Sequence, residues 1–207
     1  MLEFIRNLLN AAAEGFDLPI LEWIQANLQC AFLDFTMPIV TVLGDAGIFW
    51  IGCAVVLLLF KKHRKTGLAM GIALVMGLII CNITLKPLIG RIRPYNYQIE
   101  VLGKTWEQIL ITGKLLVETP HDFSFPSGHT IASFEAAVAI LLNNKKLGIP
   151  AMILACLIAF SRMYLYVHYP TDVICSIIIG SLFAFLANWM VHKIADKFPS
   201  HKGKYQK

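Results

Sequence analysis

Two long stretches without a charged residue constrain the fold of this chain more than any other feature of its sequence. Gly67 to Leu85 and Val173 to Val191 are each 19 residues long and contain no Asp, Glu, Lys or Arg. A helix needs about 20 apolar residues to cross the hydrocarbon core of a bilayer. Both stretches therefore predict membrane-spanning helices.

The composition indicates that lipid surrounds much of the rest of the chain as well. Of the 207 residues 57% are hydrophobic and only 15% are charged, whereas soluble domains carry about 25% charge. The predicted fold class is all-α, an integral membrane helical bundle with about five transmembrane helices. Three further spans, each with a single charged residue, are predicted at Pro38–Phe60, Ser127–Asn144 and Leu147–Val167.

The N-terminal segment has a different, amphipathic pattern. Its leucines and isoleucines recur at helical spacing between scattered acids, which is typical of helices that lie at the membrane interface. A sixth span over Phe16 to Phe35 is the alternative. Because the chain start has no secretory-signal pattern, we expect the segment to stay in the mature protein. The predicted organisation is one domain, 1–207, with interfacial helices at 1–36, a transmembrane bundle at 38–192 and a basic cytoplasmic tail at 193–207.

Loop charges predict a multi-pass protein of the cell membrane with a defined orientation. With five spans, the 61–65 loop, the 143–146 loop and the tail from His192 fall on one side and hold eleven of the eighteen Lys and Arg residues. Basic short loops stay in the cytoplasm, so the other loops are expected to face outward. The net charge of +5 then reflects topology and does not indicate a nucleic-acid partner. The five isolated cysteines match no disulfide or metal pattern.

The connection after the second span begins with basic residues. Lys86 ends the span, Pro87 is expected to stop or kink the helix, and Arg91 and Arg93 follow before Pro94. Arginine binds two phosphate oxygens with its planar fork, and lysine supplies a compact charge. The pattern fits a phosphate clamp. It also fits basic side chains that anchor a helix end among lipid headgroups.

The third span opens with Pro126-Ser127-Gly128-His129. Ser127 is a predicted N-cap, and the unpaired N–H groups after it favour a phosphate together with the helix dipole. Gly128 would let such a ligand approach closely. His129 could act as a general acid, because a bound dianion favours the imidazolium form. An ordinary helix cap is the alternative interpretation.

The connection between the fourth and fifth spans carries Arg162, His168 and Asp172. Asp172 follows His168 by four residues across a turn, so its carboxylate could accept a hydrogen bond from one imidazole nitrogen. The other nitrogen would then be free to act as a nucleophile. A hydrogen-bonded interfacial histidine beside a helix-capping aspartate would give the same spacing.

Together, and in this order, the three patterns resemble the signatures of the type 2 phosphatidic acid phosphatase family. The family pattern K-x6-R-P is matched from Lys86, P-S-G-H from Pro126 and S-R-x5-H-x3-D from Ser161, without a departure. The resemblance implies a membrane lipid phosphatase that uses no cofactor. We also expect no metal site, because three basic side chains around the same point would repel a cation.

The resemblance also implies a role for each matching residue. His168 would attack phosphorus and become phosphohistidine, Asp172 would orient it, and His129 would protonate the leaving oxygen and then activate water. The substrate phosphate would be bound by Lys86, Arg93, Arg162, Ser127 and the N–H of Gly128.

Undecaprenyl diphosphate is the favoured substrate, because it fits an outward-facing site in a small bacterial-type protein. Phosphatidylglycerophosphate and phosphatidic acid are the alternatives. A non-catalytic lipid-binding protein and a vanadium haloperoxidase, suggested by the family's wider kinship, are more remote. The intact histidine pair counts against the first of these, and the apolar spans count against the second.

Each of three further charged residues has two possible roles. Arg91 could bind the outer phosphate of a diphosphate or anchor the helix end. Asp45 and Glu135 lie within predicted spans, where a buried acid suggests a function but pairing with a cation or helix packing fits equally well.

Overall fold

The protein is helical throughout the part that the computed structural model describes, residues 2–197. Helix accounts for 79% of the structure, and no strand occurs in this range. The predicted all-α class is therefore confirmed. Most of the predicted basic tail, residues 198–207, lies outside the described residues.

Eleven α-helices follow one another along residues 2–197. In chain order they are α1 Leu2–Ala12, α2 Leu18–Leu28, α3 Ala31–Val42, α4 Ile48–Leu59, α5 Arg64–Met76, α6 Lys86–Ile89, α7 Pro94–Asn96, α8 Trp106–Ile109, α9 Gly128–Asn143, α10 Lys145–Tyr164 and α11 Pro170–Lys197. Wider π-helical segments connect some of them, at Ala13–Asp17, Gly77–Leu85 and Tyr97–Val101, and a 3₁₀ turn at Asp45–Gly47 connects α3 to α4.

The N-terminal helices pack against the rest of the molecule. Helix α1 contacts α6, and α2 contacts α10. Between α2 and α3 the backbone is extended at Gln29 and Cys30. The range Phe16–Phe35 is thus not the single helix that a sixth span would require.

Within residues 2–197, three helical runs are long and apolar enough to span a membrane. They are Arg64–Val101, Lys145–Tyr164 and Pro170–Ala195, with mean hydropathies of 2.3, 1.7 and 2.1. A fourth candidate is the bent pair Ala31–Val42 and Asp45–Leu59, whose axes differ by 42°. Large apolar side chains are exposed along these helices, as expected of a surface that faces lipid.

Other helices cover the predicted span at 127–144, unlike the candidate spans above. It forms α9, which has only 16 residues and is packed by α5, α10 and α11. Ten of its residues are buried, and three of them are alanines, whose small side chains let helix backbones approach closely. Because α9 is covered by protein, its length need not match the bilayer. The count of five spans stays a prediction.

The sequence predicted that Pro87 stops or kinks the helix, and the structure differs from this prediction. The helical path does not stop at Lys86 but continues as α6 to Ile89, where Gly90 adopts the left-handed conformation. Pro87 lies in the first turn of α6, directly after the π-helical segment 77–85.

The contact between α9 and α11 depends on a glycine. A Cβ at Gly180 would lie 2.8 Å from the backbone oxygen of Ile131, and a backbone atom cannot move aside easily.

We expect Gly180→Ala to lower the free energy of unfolding by about 1–3 kcal/mol, the usual cost of overpacking. The measurement is thermal or denaturant unfolding in detergent. Gly52→Ala in α4 is the control, because a Cβ there meets no atom within 4 Å. Equal stability of the two variants would show that the α9–α11 contact is loose.

Candidate active site

Arg93 joins the first and third sequence patterns. Its Nη1 donates to the backbone oxygen of Val167 at 2.6 Å and lies 3.2 Å from Nε2 of His168. Its Nε donates to the backbone oxygen of Asp122 at 2.9 Å. Arg93 is 3% exposed, so these oxygen atoms replace the water that a guanidinium would otherwise bind.

Asp122 ties the two basic side chains of the first pattern together. One carboxylate oxygen accepts from Lys86 Nζ and the other from Arg93 Nη2. These two cations hold the pKa of Asp122 below its usual value despite the partial burial of the carboxyl group, which acts the other way. Asp122 therefore stays ionised at neutral pH. Its carboxylate lies between Lys86 and Arg93, which together form the cation clamp, as a phosphate oxygen would.

His168 lies behind this clamp and is 1% exposed. Burial, followed by the charges of Arg93 and Arg162, holds its pKa well below the ordinary value, so the ring is neutral at neutral pH. An arginine can only donate hydrogen bonds, so Nε2 beside Arg93 is the unprotonated nitrogen and Nδ1 carries the proton. Nε2 therefore carries the lone pair that a nucleophile needs, and in the structure this lone pair accepts from Arg93, so it must leave that contact before it can attack phosphorus.

The Nδ1 side of His168 faces Asp172 and Ser124. Nδ1 lies 3.6 Å from Oδ2 of Asp172 and 3.5 Å from Oγ of Ser124. The same Oδ2 accepts hydrogen bonds from Ser124 Oγ at 2.5 Å and from the N–H of Tyr169 at 3.1 Å. Asp172 is fully buried, so these donors replace its hydration. The structure thus places Asp172 near the histidine, at a distance longer than the hydrogen bond expected from the sequence, and Ser124 contacts both residues.

The start of α9 has the predicted cap. Ser127 is the N-cap and accepts from the N–H of Thr130 at 3.5 Å. Its own N–H donates to Ser176 Oγ, and its hydroxyl also contacts Thr130 Oγ1 at 2.9 Å. Ser127 is completely buried, so its side chain and N–H are engaged inside the protein.

His129 projects from the first turn of α9 towards the break between α3 and α4. Its Nε2 lies 2.6 Å from Oδ1 of Asp45. A contact this short between a ring nitrogen and a carboxylate oxygen requires a proton between them. His129 and Asp45 therefore share one hydrogen bond, with its proton on the ring nitrogen or on the carboxyl group.

Arg162 approaches the same end of the bundle from α10. Its Nη1 donates to Thr41 Oγ1 on α3 at 2.5 Å, and the side chain is 4% exposed. Its Nε has no partner among residues 2–197. The backbone oxygen of Arg162 accepts from the N–H of His168, which fixes the turn that carries the histidine.

A cavity of about 790 Å³ runs from the clamp along α9, between α4 and α5. Lys86, Asp122, Gly128 and His129 line it near the clamp. Most of its other lining residues are apolar, from α4, α5 and the π-helical segment 77–85. A charged end joined to an apolar chamber suits a ligand with an anionic head and a hydrocarbon tail.

Arg91 has neither of the roles weighed from the sequence. It is 1% exposed and donates to Asp17 and to Asp172, so it neither anchors a helix end in headgroups nor is available for an outer phosphate. Glu135 pairs with no cation among residues 2–197; its carboxylate packs against Gly77, where an added Cβ would lie 2.3 Å from Oε1.

Several contacts at this site were not apparent from the sequence. Asp17, Asp122 and Ser124 are ordinary polar residues of segments without a motif, and they approach the predicted residues only through the fold. Asp45 carried a signal, because an acid inside an apolar run needs a partner. Among the predicted residues, the structure brings Lys86, Gly128 and His129 to the cavity, and Arg93, His168 and Asp172 into the buried cluster behind it.

Because Asp122 occupies the cation clamp, an incoming phosphate must displace it. Replacing Asp122 with Asn should tighten the binding of inorganic phosphate about five-fold, equivalent to the roughly 1 kcal/mol of a half-exposed ion pair. The measurement is titration calorimetry of the purified protein at about pH 6 and about pH 8, where the gain should be equal since Asp122 is ionised at both.

Glu118→Gln is the matched control for this test. It removes one negative charge from the same loop at an exposed position. An equal gain in both variants would mean that net loop charge, rather than release of the clamp, controls phosphate affinity.

The chain is similar in sequence to known proteins. An undecaprenyl-diphosphatase from Sulfolobus acidocaldarius is 32% identical over 174 residues, which are 84% of this chain and 77% of the relative. A lipid A 4'-phosphatase from Bacteroides thetaiotaomicron is 28% identical over 172 residues, 80% of this chain and 71% of the relative.

The architecture also matches a solved structure. The PAP2-type phosphatidylglycerolphosphate phosphatase from Bacillus subtilis superimposes with a TM-score of 0.67 at 24% identity, and the match covers 97% of both chains. At this identity the likeness concerns the fold alone.

The PAP2 superfamily model matches residues 66–196, which contain all three sequence patterns and most of the site described above. The chain therefore belongs to the PAP2 superfamily, as a membrane-embedded hydrolase of lipid phosphate esters.

Proposed function

We propose that this protein hydrolyses undecaprenyl diphosphate to undecaprenyl phosphate and inorganic phosphate. The observation that carries the proposal is the cavity, which joins an apolar chamber to Lys86 and His129 at one end. A polyprenyl tail would lie in the chamber, and the diphosphate would reach the clamp. The undecaprenyl-diphosphatase among the relatives supports this choice of lipid.

The first chemical step would form a phosphohistidine. Nε2 of His168 attacks the terminal phosphorus and a P–N bond forms, while the bond from phosphorus to the bridging oxygen breaks. The leaving lipid phosphate takes the proton held between His129 and Asp45. Lys86, Arg93 and Arg162 would stabilise the charge on the transferring group, which is a main source of catalysis in phosphoryl transfer.

The second step would release phosphate. The His129–Asp45 pair, now short of one proton, takes a proton from water as the water oxygen attacks phosphorus. The P–N bond breaks and its electron pair returns to Nε2 of His168. The site regains its starting protonation, and no metal ion enters either step.

The sequence patterns also support specific roles for the start of α9. The N–H of Gly128, which lines the cavity, would donate to a phosphate oxygen. Ser127 would act by fixing the first turn of α9, because its hydroxyl and N–H are already engaged within the protein.

We place the site on the extracytoplasmic side of the cell membrane. The support is the charge of the loops, since eleven of eighteen Lys and Arg residues fall on the opposite side in the five-span arrangement. In this arrangement residues 1–36 are interfacial helices, 38–192 form the bundle and 193–207 form a cytoplasmic tail. The partners are the bilayer and the lipid phosphate substrate.

His168→Ala should abolish turnover and the acid-labile phosphoenzyme, because no other group supplies the attacking nitrogen. His129→Ala should lower kcat by about 10²–10⁴, the usual contribution of a general acid, and leave KM nearly unchanged. The assay follows phosphate release and trapped ³²P-phosphoenzyme, with EDTA present throughout.

His63→Ala is the control, because this histidine lies in the loop before α5, away from the clamp. Retention of a normal rate by His168→Ala would contradict the proposed nucleophile. Loss of wild-type activity in EDTA, restored by zinc, would contradict the metal-free mechanism.

The substrate is tested by comparing kcat/KM for four lipids in the same detergent. Undecaprenyl diphosphate should exceed phosphatidylglycerophosphate, phosphatidic acid and lipid A 4'-phosphate by about ten-fold or more, since specificity is a ratio of kcat/KM values. A faster reaction with any of the other three would assign the site to that lipid instead.

A further inference from the structure

A buried ion bridge connects the N-terminal segment to the turn that carries His168. Arg91 donates from Nη2 to Oδ2 of Asp17 at 2.7 Å and from Nη1 to Oδ1 of Asp172 at 2.5 Å. All three side chains are at most 1% exposed. Thr171 reinforces the junction, because its N–H and hydroxyl donate to Asp17 at 2.8 and 2.7 Å. Buried charges persist when they are paired and hydrogen-bonded, and in this set each charge is paired and only Nε of Arg91 has no partner among residues 2–197.

In this bridge the two carboxylate oxygens of Asp172 have different partners. Oδ1 is held by Arg91, whereas Oδ2 faces His168 and accepts from Ser124 and from the N–H of Tyr169. A carboxylate fixed at one oxygen cannot rotate freely. Arg91 therefore acts together with Ser124 and the N–H of Tyr169 to set the direction of Oδ2.

Arg91 is itself fixed from the N-terminal side. Besides the contact with Asp17, its Nη2 donates to the backbone oxygen of Leu9 at 2.7 Å, and its guanidinium lies 3.8 Å from the ring centre of Tyr169. Asp17 ends the π-helical segment 13–17, which places its carboxylate at the bundle. The N-terminal segment thus supplies two of the oxygens that hold Arg91.

The bridge also sets the charge next to the histidine. Two carboxylates and one guanidinium leave a net charge of −1, whereas Arg91 and Asp172 alone would be neutral. Attack on phosphorus makes the imidazole ring positive, and a nearby negative charge stabilises that state. Loss of Asp17 would remove this charge although Asp17 does not touch the ring.

We propose that Asp17 is a positioning residue for catalysis, which acts through Arg91 to orient Asp172 and to keep its charge available to His168. The inference rests on the proposed roles of His168 and Asp172. It gives the N-terminal segment a role in catalysis, although that segment lies outside the residues that match the family model.

The charged groups around His168 come from several elements. Asp172 and, through it, Arg91 and Asp17 lie on its Nδ1 side. Arg93 lies on its Nε2 side, and Lys86 of α6, Asp122 of the loop before α9 and Arg162 of α10 act on it from further away. Burial and the cations keep the imidazole neutral, and Asp122 and the net negative charge of the bridge oppose the cations.

The decisive variant is Asp17→Asn, which keeps the size of the side chain and removes its charge. We expect kcat to fall about ten-fold or more, as when the residue that orients a catalytic group is lost, with KM within about two-fold. The acid limb of kcat/KM should move to lower pH, because His168 loses a nearby negative charge. Asp17→Glu, which restores the charge, should recover part of kcat.

Glu14→Gln is the matched control. Glu14 lies in the same π-helical segment and accepts a hydrogen bond from Tyr97 at 2.5 Å, but it is exposed and remote from Arg91. It should keep the wild-type kcat and pH profile. If Asp17→Asn behaves like Glu14→Gln in both respects and only its Tm is lower, the bridge merely fastens the segment and the proposal is wrong.

Arg91→Lys keeps the test decisive if Asp17→Asn does not fold. Lysine retains the charge but cannot bind two carboxylates with one planar fork. Its kcat should also fall about ten-fold at nearly constant KM, and an unchanged kcat would overturn the proposal. Rates are measured on whichever of the four lipids the wild-type protein hydrolyses fastest, so a wrong substrate leaves this test intact. Absence of a wild-type phosphoenzyme would refute the proposed mechanism separately.

Discussion

Three buried arginines hold the functional end of this helical bundle together. Arg91 joins the N-terminal segment to the start of α11, Arg93 joins the loop between α8 and α9 to the turn before α11, and Arg162 joins α10 to α3. A guanidinium removed from water must find oxygen atoms elsewhere, and no single helix can supply them. Distant segments therefore converge on one place, which is where the histidines lie.

The first turns of α9 and α11 also lie at this end of the bundle. Helices α9 and α11 begin beside each other, and Ser176 of α11 accepts from the N–H of Ser127 at the cap of α9. The central position of α9, surrounded by α5, α10 and α11, leaves the cavity along its remaining face. The same packing that buries α9 thus creates both the chamber and the site at its end.

Arg93 connects the cation clamp to His168, the proposed nucleophile. Arg93 contacts Asp122 on one side and His168 on the other. A phosphate that replaces the carboxylate of Asp122 would therefore arrive next to Arg93 and close to the histidine. The protein already holds the cations in place, but Asp122 must leave the clamp and Nε2 must leave its contact with Arg93 before attack.

Much of this arrangement follows from the sequence. The apolar runs predict helices in a membrane, because hydrocarbon leaves a backbone few other structures. The Ser127 cap and the start of α11 at Pro170 agree with local rules that depend only on neighbouring residues. The pairing of His168 with Asp172 also follows from a short spacing across one turn.

The partners of Arg91 were decided by the tertiary structure. Asp17 is 74 residues from Arg91, and Asp172 is 81 residues away. The local sequence around Arg91 fits a clamp or an anchor equally well, and only the packing of α1 and the segment 13–17 removes it from the surface. By itself, the sequence determined the membrane fold and the chemical groups of the site. The fold alone determined which acids lie beside them, because the placement of buried charge depends on segments that are far apart in the chain.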